Sequence, residues 1–283
     1  MKPYLIVLGA LCSAVQLVGQ TVPPAVAAER AAFTEWLVTS PNSPFAVVVQ
    51  RRIGEGLTIG PPQADVPLDG LALHRVSERG GVPYLNDGAG DRPLARFRQT
   101  ALGSGEYKIS IIGTPGRSTA IIYRPAPRQP KPPTYYPYQT GFSLTVTLDP
   151  PSRPRDRLIL AADGSEVLAT EAGTVLVMLE GKSTSLQVYR VPDVTGEEAE
   201  LEIYFRDATN DHGTYPAGRF VTLDPLGGTR YRLDFNRARN PFCAYSSVFA
   251  CPIPWRGNLI ESAIEAGEKY SGGGLQLTPP GEA

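Results

Sequence analysis

Residues 142–148 read FSLTVTL, and this stretch decides the fold. Phe142, Leu144, Val146 and Leu148 alternate with Ser143, Thr145 and Thr147. A period of two puts every apolar side chain on one side of an extended chain, whereas helical spacing would scatter them. The stretch is therefore a half-buried strand. The same alternation returns at 200–206 (ELEIYFR), with Leu201, Ile203 and Phe205 inward, and at 229–236 (TRYRLDFN), with Tyr231, Leu233 and Phe235 inward. Further strands are expected at 157–161, 174–179 and 183–191.

Toward the N-terminus the pattern gives strands at 46–50, 57–59, 65–68, 71–76, 107–112 and 119–124. The turn-rich patch NDGAGDR at 86–92 and Gly113-Thr114-Pro115-Gly116 separate some of them. The 283 residues include 29 Gly and 28 Pro but only 2 Met, a profile of many short strands joined by turns. The expected fold class is mainly β: two β-rich units, sandwich or barrel-like, at 45–125 and 140–272. Between them, 126–139 is Pro-rich. Prolines at 125, 127, 130, 132 and 133 exclude a helix or a central strand, leaving an extended linker or edge-wrapping segment.

A short helix is expected near each end. Residues 28–38 (AERAAFTEWLV) place Phe33, Trp36 and Leu37 on one face, and Pro41 and Pro44 stop the helix within a connector reaching 44. At 258–267, Asn258 reads as an N-cap with Glu261 completing a capping box. Leu259, Ile260, Ala263 and Ile264 would form the apolar face, with Gly267 as a left-handed cap. The tail 273–283 is expected to be mobile.

Residues 1–27 resemble an export signal. Lys2 precedes a mostly apolar stretch, 4–18, with small-residue cleavage sites at 17–19 and 25–27. That stretch is short for a membrane span, and Leu11 before Cys12 departs from a lipid-attachment motif. The mature chain is therefore expected in the periplasm or outside the cell, without a membrane anchor. Of three cysteines only Cys243 and Cys251 would remain, and in an oxidising compartment they are expected to pair.

A formal net charge of −1 supplies no field for nucleic acid. No nucleophile elbow, phosphate-binding loop, dinucleotide fingerprint or zinc-protease motif is present. Two histidines, His74 and His212, make a poor metal set, so no metal and no cofactor are expected.

The chemistry concentrates at 206–270, where Asp207, Thr209, Tyr215, Arg219, Asp234, Asn236, Asn240, Glu265, Glu268 and Lys269 lie among turns. Strand periodicity puts Arg230, Arg232, Asp234 and Asn236 on one face. Three readings stay open. The face is solvated surface; or Arg219 and Arg232 hold a small anion oriented by Asp234 and Asn236, with Asn240, Glu265 and Glu268 in the same cluster; or the carboxylates and amides satisfy backbone groups of the proline-containing loop 240–255. A hydrolase using Asp234, Glu265 or Glu268 is the catalytic alternative.

The motifs Arg206-Asp-Ala-Thr209, Thr214-Tyr-Pro-Ala-Gly-Arg219, Leu233-Asp-Phe-Asn-Arg-Ala238, Asn240-Pro-Phe-Cys-Ala-Tyr245, Cys251-Pro252, Asn258-Leu259 and Glu265-Ala-Gly-Glu-Lys269 resemble the bacterial family called domain of unknown function 1684. Loop 210–213, Arg239 and 255–257 depart from its pattern. The resemblance implies the architecture of the second unit and carries no established activity. Upstream, Leu57-Thr-Ile-Gly-Pro61 and Ala101-Leu-Gly-Ser-Gly105 are similar to forkhead-associated β-sandwiches. Those bind phosphothreonine through an Arg where this chain has Pro61, so the resemblance implies a sandwich without that function.

Overall fold

A computed structural model describes residues 21–124, 132–192, 199–270 and Gly272. Most of the expected export signal, residues 125–131 of the Pro-rich segment and the tail 273–283 lie outside them. The chain is mainly β, as the alternation predicts. One α-helix, α1 (Pro24–Thr39), opens the described part, with proline in its first turn, where a missing N–H is harmless. It starts four residues earlier than the periodicity suggests.

Nine strands follow: β1 (Val47–Arg52), β2 (Leu57–Gly60), β3 (Val66–Pro67), β4 (His74–Arg79), β5 (Val82–Asn86), β6 (Asp91–Pro93), β7 (Thr100–Leu102), β8 (Tyr107–Ile112) and β9 (Thr119–Tyr123). They form a four-stranded sheet, β1-β9-β8-β7, and a five-stranded one, β3-β2-β4-β5-β6. Ile59, Val76 and Leu85 of one meet Ile109, Ile111 and Ile122 of the other in a common core, so the unit is a sandwich. The patch at 86–92 is the turn of the β5–β6 hairpin and includes the start of β6. Strands β5, β6 and β7 were not expected, because Pro83, Pro93 and their short lengths hide the alternation.

The second unit is built from β10 (Ser143–Asp149), β11 (Asp156–Leu160), β12 (Glu166–Leu179), β13 (Lys182–Pro192), β14 (Ala199–Phe205), β15 (Arg219–Gly227) and β16 (Arg230–Asp234). Their order is β10-β16-β15-β14-β13-β12-β11, and β10 also pairs with β12. Six of the strands therefore close into a barrel, with β11 appended to the first half of β12. Closure needs β12 to bend. It does so at a bulge between Glu171 and Gly173, where Gly173 has φ +142° and a Cβ would meet the Asp149 carbonyl oxygen at 2.2 Å. Leu201, Ile203, Phe205, Leu233 and Phe235 fill the interior with Val175, Val177, Leu186 and Val188. Strand β15 was not expected, because Asp224, Pro225 and Gly227 break its pattern after a buried Arg219.

The second helix is not formed. Residues 258–268 run as irregular extended chain, bridged at Arg206 to Leu259 and at Tyr135 to Glu268. Backbone groups that a helix would have paired internally go to distant chain, with Ile260 N–H donating to the Arg206 carbonyl at 2.8 Å and the Asn258 carbonyl accepting from Arg206 N–H at 3.0 Å. Asn258 accepts the Gln187 N–H at 2.7 Å and donates to the Gln187 and Tyr204 carbonyls, both at 3.0 Å. Gly267 is left-handed, φ +75°, because a Cβ there would lie 2.7 Å from the Phe235 and Ala238 carbonyls, not because it caps a helix.

Sandwich and barrel are joined. Val47, Ile121 and Tyr123 pack on Tyr215, Cys243 and Phe249. Gln50 donates to the Asp163 carbonyl at 2.9 Å and accepts from Ala250 N–H at 3.0 Å. Glu166 pairs with Arg52 at 2.7 Å and Arg117 at 3.0 Å. Helix α1 lies over the same junction, with Trp36 and Phe242 ring centroids 5.9 Å apart and the Arg237 guanidinium 2.6 Å from Glu29.

Candidate functional site

The polar cluster at 206–270 assembles in part, and its members bind the chain itself. Arg219 opens β15 with 0% exposure. Nη2 donates to Asp207 at 2.8 Å and to the Ile264 carbonyl at 2.9 Å, while Nη1 reaches the Ala266 carbonyl and, at 3.4 Å, that of Glu268. Asp207 in turn accepts from Thr209 N–H at 2.8 Å and Ile264 N–H at 3.1 Å. Burial pulls the Arg219 pKa down, and the Asp207 charge opposes that pull. A guanidinium so occupied has no bidentate face left for an anion.

The other expected residues divide in the same way. Asp234 accepts from Asn236 N–H at 3.0 Å, and Asn236 exchanges two hydrogen bonds with the Gln139 backbone, 3.0 and 2.8 Å, as a strand neighbour would. Glu268, 1% exposed, accepts from Asn240 N–H at 2.9 Å and Tyr245 O–H at 2.6 Å. Burial raises its pKa to about 7 against the lowering effect of those two donors. Arg232 and Glu265 are exposed and stand apart from this interior set. Cys243 and Cys251 are disulfide-bonded with Cα atoms 5.5 Å apart. Of the three readings, backbone satisfaction is the one these contacts describe. It extends beyond the loop 240–255 to 134–139 and 258–268. Of the two guanidiniums expected to share an anion, that of Arg219 is consumed in the interior and that of Arg232 stands in solvent.

The concave surface lies elsewhere, between the outer barrel wall and the sandwich. A cavity of about 610 Å³ is lined by Phe97, Val167, Leu168, Val191 and Phe242 and by the acidic residues Asp163, Glu200 and Glu202. A smaller chamber of about 200 Å³ shares Ala162, Glu200, Glu202 and Phe242 with it and adds Phe33, Phe220, Arg239 and Asn240. Glu202 thus stands between the two. It projects outward from β14, opposite Tyr189 on β13 and Thr222 on β15. Burial, then the neighbouring Glu200 charge, pushes its pKa up to about 7, while Arg239 opposes. Asp163 is raised by burial although Ser165 donates to it twice, at 2.9 and 2.6 Å. Arg96, on the sandwich side, is spent on Glu78 at 2.6 Å and on the Gly81 and Gly113 carbonyls.

Of these, only Asn240 was expected from the sequence. A signal for the rest was present in ELEIYFR, whose outward positions run Glu200, Glu202, Tyr204. An aromatic on the polar side of an alternating strand marks an outer face that something covers.

Among the described residues no group of three or more His, Cys, Asp or Glu is placed to hold a metal, and no helix is long and apolar enough to cross a membrane. The fold defines a closed β-barrel with a β-sandwich docked on its outer wall. Residues 132–269 match the model described as Protein of unknown function (DUF1684). A solution NMR structure of the uncharacterized protein from gene locus rrnAC0354 of Haloarcula marismortui is 31% identical over 49% of this chain and 76% of that one, with a TM-score of 0.43. No curated protein matches the chain.

Proposed function

We propose that the protein is an exported binding module whose ligand seat is the cleft between sandwich and barrel. The observation that carries this is the cavity itself. At about 610 Å³ it has the size of a small-molecule site, and apolar walls surround a few acidic groups. The polar and apolar contacts at the junction hold the cleft ready-made, so little ordering opposes binding. Export rests on the N-terminal signal pattern. The cleavage position at 17–19 suits it better than the one at 25–27, which would remove the first turn of α1 and its buried Val26.

Fluorescence of the neutral apolar dye N-phenyl-1-naphthylamine tests the seat. The full chain should bind it saturably, and Leu168→Arg, at a half-exposed position on the cavity wall, should abolish binding without lowering thermal stability. Equal dye binding by wild type and variant would end this proposal.

A second reading, an acid–base hydrolase, draws on one observation: Glu202 and Asp163, both raised by burial, face the same cavity. An unbiased hydrolase screen comparing wild type with Glu202→Gln and Asp163→Asn decides it. Turnover that both variants abolish would establish chemistry, and turnover that neither changes would remove it from this site.

A further inference from the structure

We infer that the cleft takes an organic ammonium ion bearing at least one N–H, with its head between Glu202 and Asn240 and its apolar body in the larger cavity. This deepens the binding reading above and rests on it.

The first observation is an unpaired acceptor. Asn240 is 4% exposed, its backbone N–H goes to Glu268 at 2.9 Å and its Nδ2 to the Lys269 carbonyl at 3.2 Å. Its Oδ1 is buried and has no hydrogen-bond partner among the described residues, and Asn240 is one of the residues that line the smaller chamber. Native proteins rarely strand a buried acceptor, and such exceptions concentrate where a ligand or another functional group completes the set.

The second observation is the charge around it. Among the described residues, the carboxylates of Glu202 and Glu200 have no hydrogen bond and no ion pair within 4 Å, so the chamber holds two unpaired carboxylates beside the Thr222 hydroxyl and a single guanidinium. Its one cation, Arg239, is drawn to Glu29 at 3.8 Å and lies over the Phe33 ring, 5.5 Å from the centroid. An anion would face two carboxylates against one guanidinium, and a neutral body would leave an ionised Glu202 desolvated with no charge brought to balance it. An ammonium group supplies N–H to both Asn240 Oδ1 and Glu202. Phe33, Phe220 and Phe242 line the same chamber, and ring faces attract such a cation.

The ionised form of Glu202 is the one that binds. The groups facing it are Glu200, Asp163 and Arg239, and with its carboxyl held at about 7 affinity should rise from about pH 6 to about pH 8.5.

Calorimetry on the full chain with four eight-carbon probes tests the inference: 1-octylammonium, octyltrimethylammonium, 1-octanol and octanoate. At about pH 8.5, octylammonium should bind at least about tenfold tighter than octanol, since a charge-assisted hydrogen bond is lost in the alcohol. The trimethyl form, with no N–H, should fall between them, and octanoate should bind weakest. Glu202→Gln should bring octylammonium to the level of octanol and leave octanol unchanged. Equal binding of alcohol and ammonium, or a preference for octanoate, with the naphthylamine dye still bound, overturns the ligand class and leaves the seat standing. Failure of the dye and of all four probes overturns both.

Discussion

Arg219 and Asp207 form an ion pair of 2.8 Å in which neither side chain has any exposure. The pair also holds the Ile264, Ala266 and Glu268 carbonyls and the Ile264 N–H, so two side chains satisfy a strand's worth of backbone. Without it the segment 258–268 would bury polar backbone groups with nothing to meet them. Its non-helical path and this pair are one feature of the fold.

Removing either charge should therefore be severe. Arg219→Met leaves Asp207 and three carbonyls short of a donor in the interior, and breaking a buried pair in this way costs about 3–5 kcal/mol. Urea unfolding should give a loss of that size for Arg219→Met and for Asp207→Leu. The double variant should lose less than the two losses added, because the second substitution removes an already orphaned charge. Strict additivity would show that the two residues act separately.

Glu268 sets a pH dependence of unusual sign. Its folded pKa, raised by burial to about 7, lies above the ordinary carboxyl value of 4.5, so the native state holds the proton more tightly than the unfolded chain. Its stabilising contribution is complete below about pH 4.5 and disappears as pH rises through about 7, a change of roughly 3 kcal/mol. Glu268→Gln, which resembles the protonated form, should match wild type at about pH 5 and exceed it at about pH 8. A constant difference between the two proteins across that range would refute the assignment.

Much of the fold was legible because alternation is a local property. Ser143–Asp149, Tyr107–Ile112 and Ala199–Phe205 each announce themselves in a few residues. What stayed hidden depends on partners distant in sequence. The pattern at 258–267 has a cap, an apolar stripe and a terminal Gly, yet Asp207 and Arg219, more than forty residues before Ile264, take its backbone groups from the helix. The residues Asp207, Arg219, Asn240 and Glu268 were also picked out, with backbone service as one of three readings that the sequence left open. Side chains that serve buried backbone have the same residue types as those that serve a ligand. The cleft is different again: Phe97 and Glu202 meet only because the sandwich docks on the barrel, and no window of sequence contains both.

Barrel closure should depend on Gly173. Its φ of +142° is strained for any L side chain, and a Cβ would overlap the Asp149 carbonyl at 2.2 Å, where β10 joins β12. Gly173→Ala should cost roughly 3 kcal/mol from strain and overlap together. Amide exchange at Leu148 and Asp149 should accelerate more than in the sandwich strands. Uniform acceleration across both units would mean that the bulge is not the closing element.

The disulfide should matter to the cleft as well as to stability. A bridge of sequence separation 8 constrains the unfolded chain by roughly 2.5 kcal/mol, so Cys243→Ser with Cys251→Ser should lose about that much. The Tyr215 hydroxyl lies 3.3 and 3.2 Å from the two sulfurs, tying the loop to the barrel–sandwich core. Phe242, next to Cys243 and packed edge-on to Phe249 at 5.5 Å, forms wall in both chambers. Loosening the loop should free that wall, so the double variant should bind the naphthylamine dye several-fold more weakly at temperatures where it remains folded. Full stability loss with unchanged dye affinity would place the anchor of Phe242 in its ring contacts with Trp36 and Phe249, and not in the bridge.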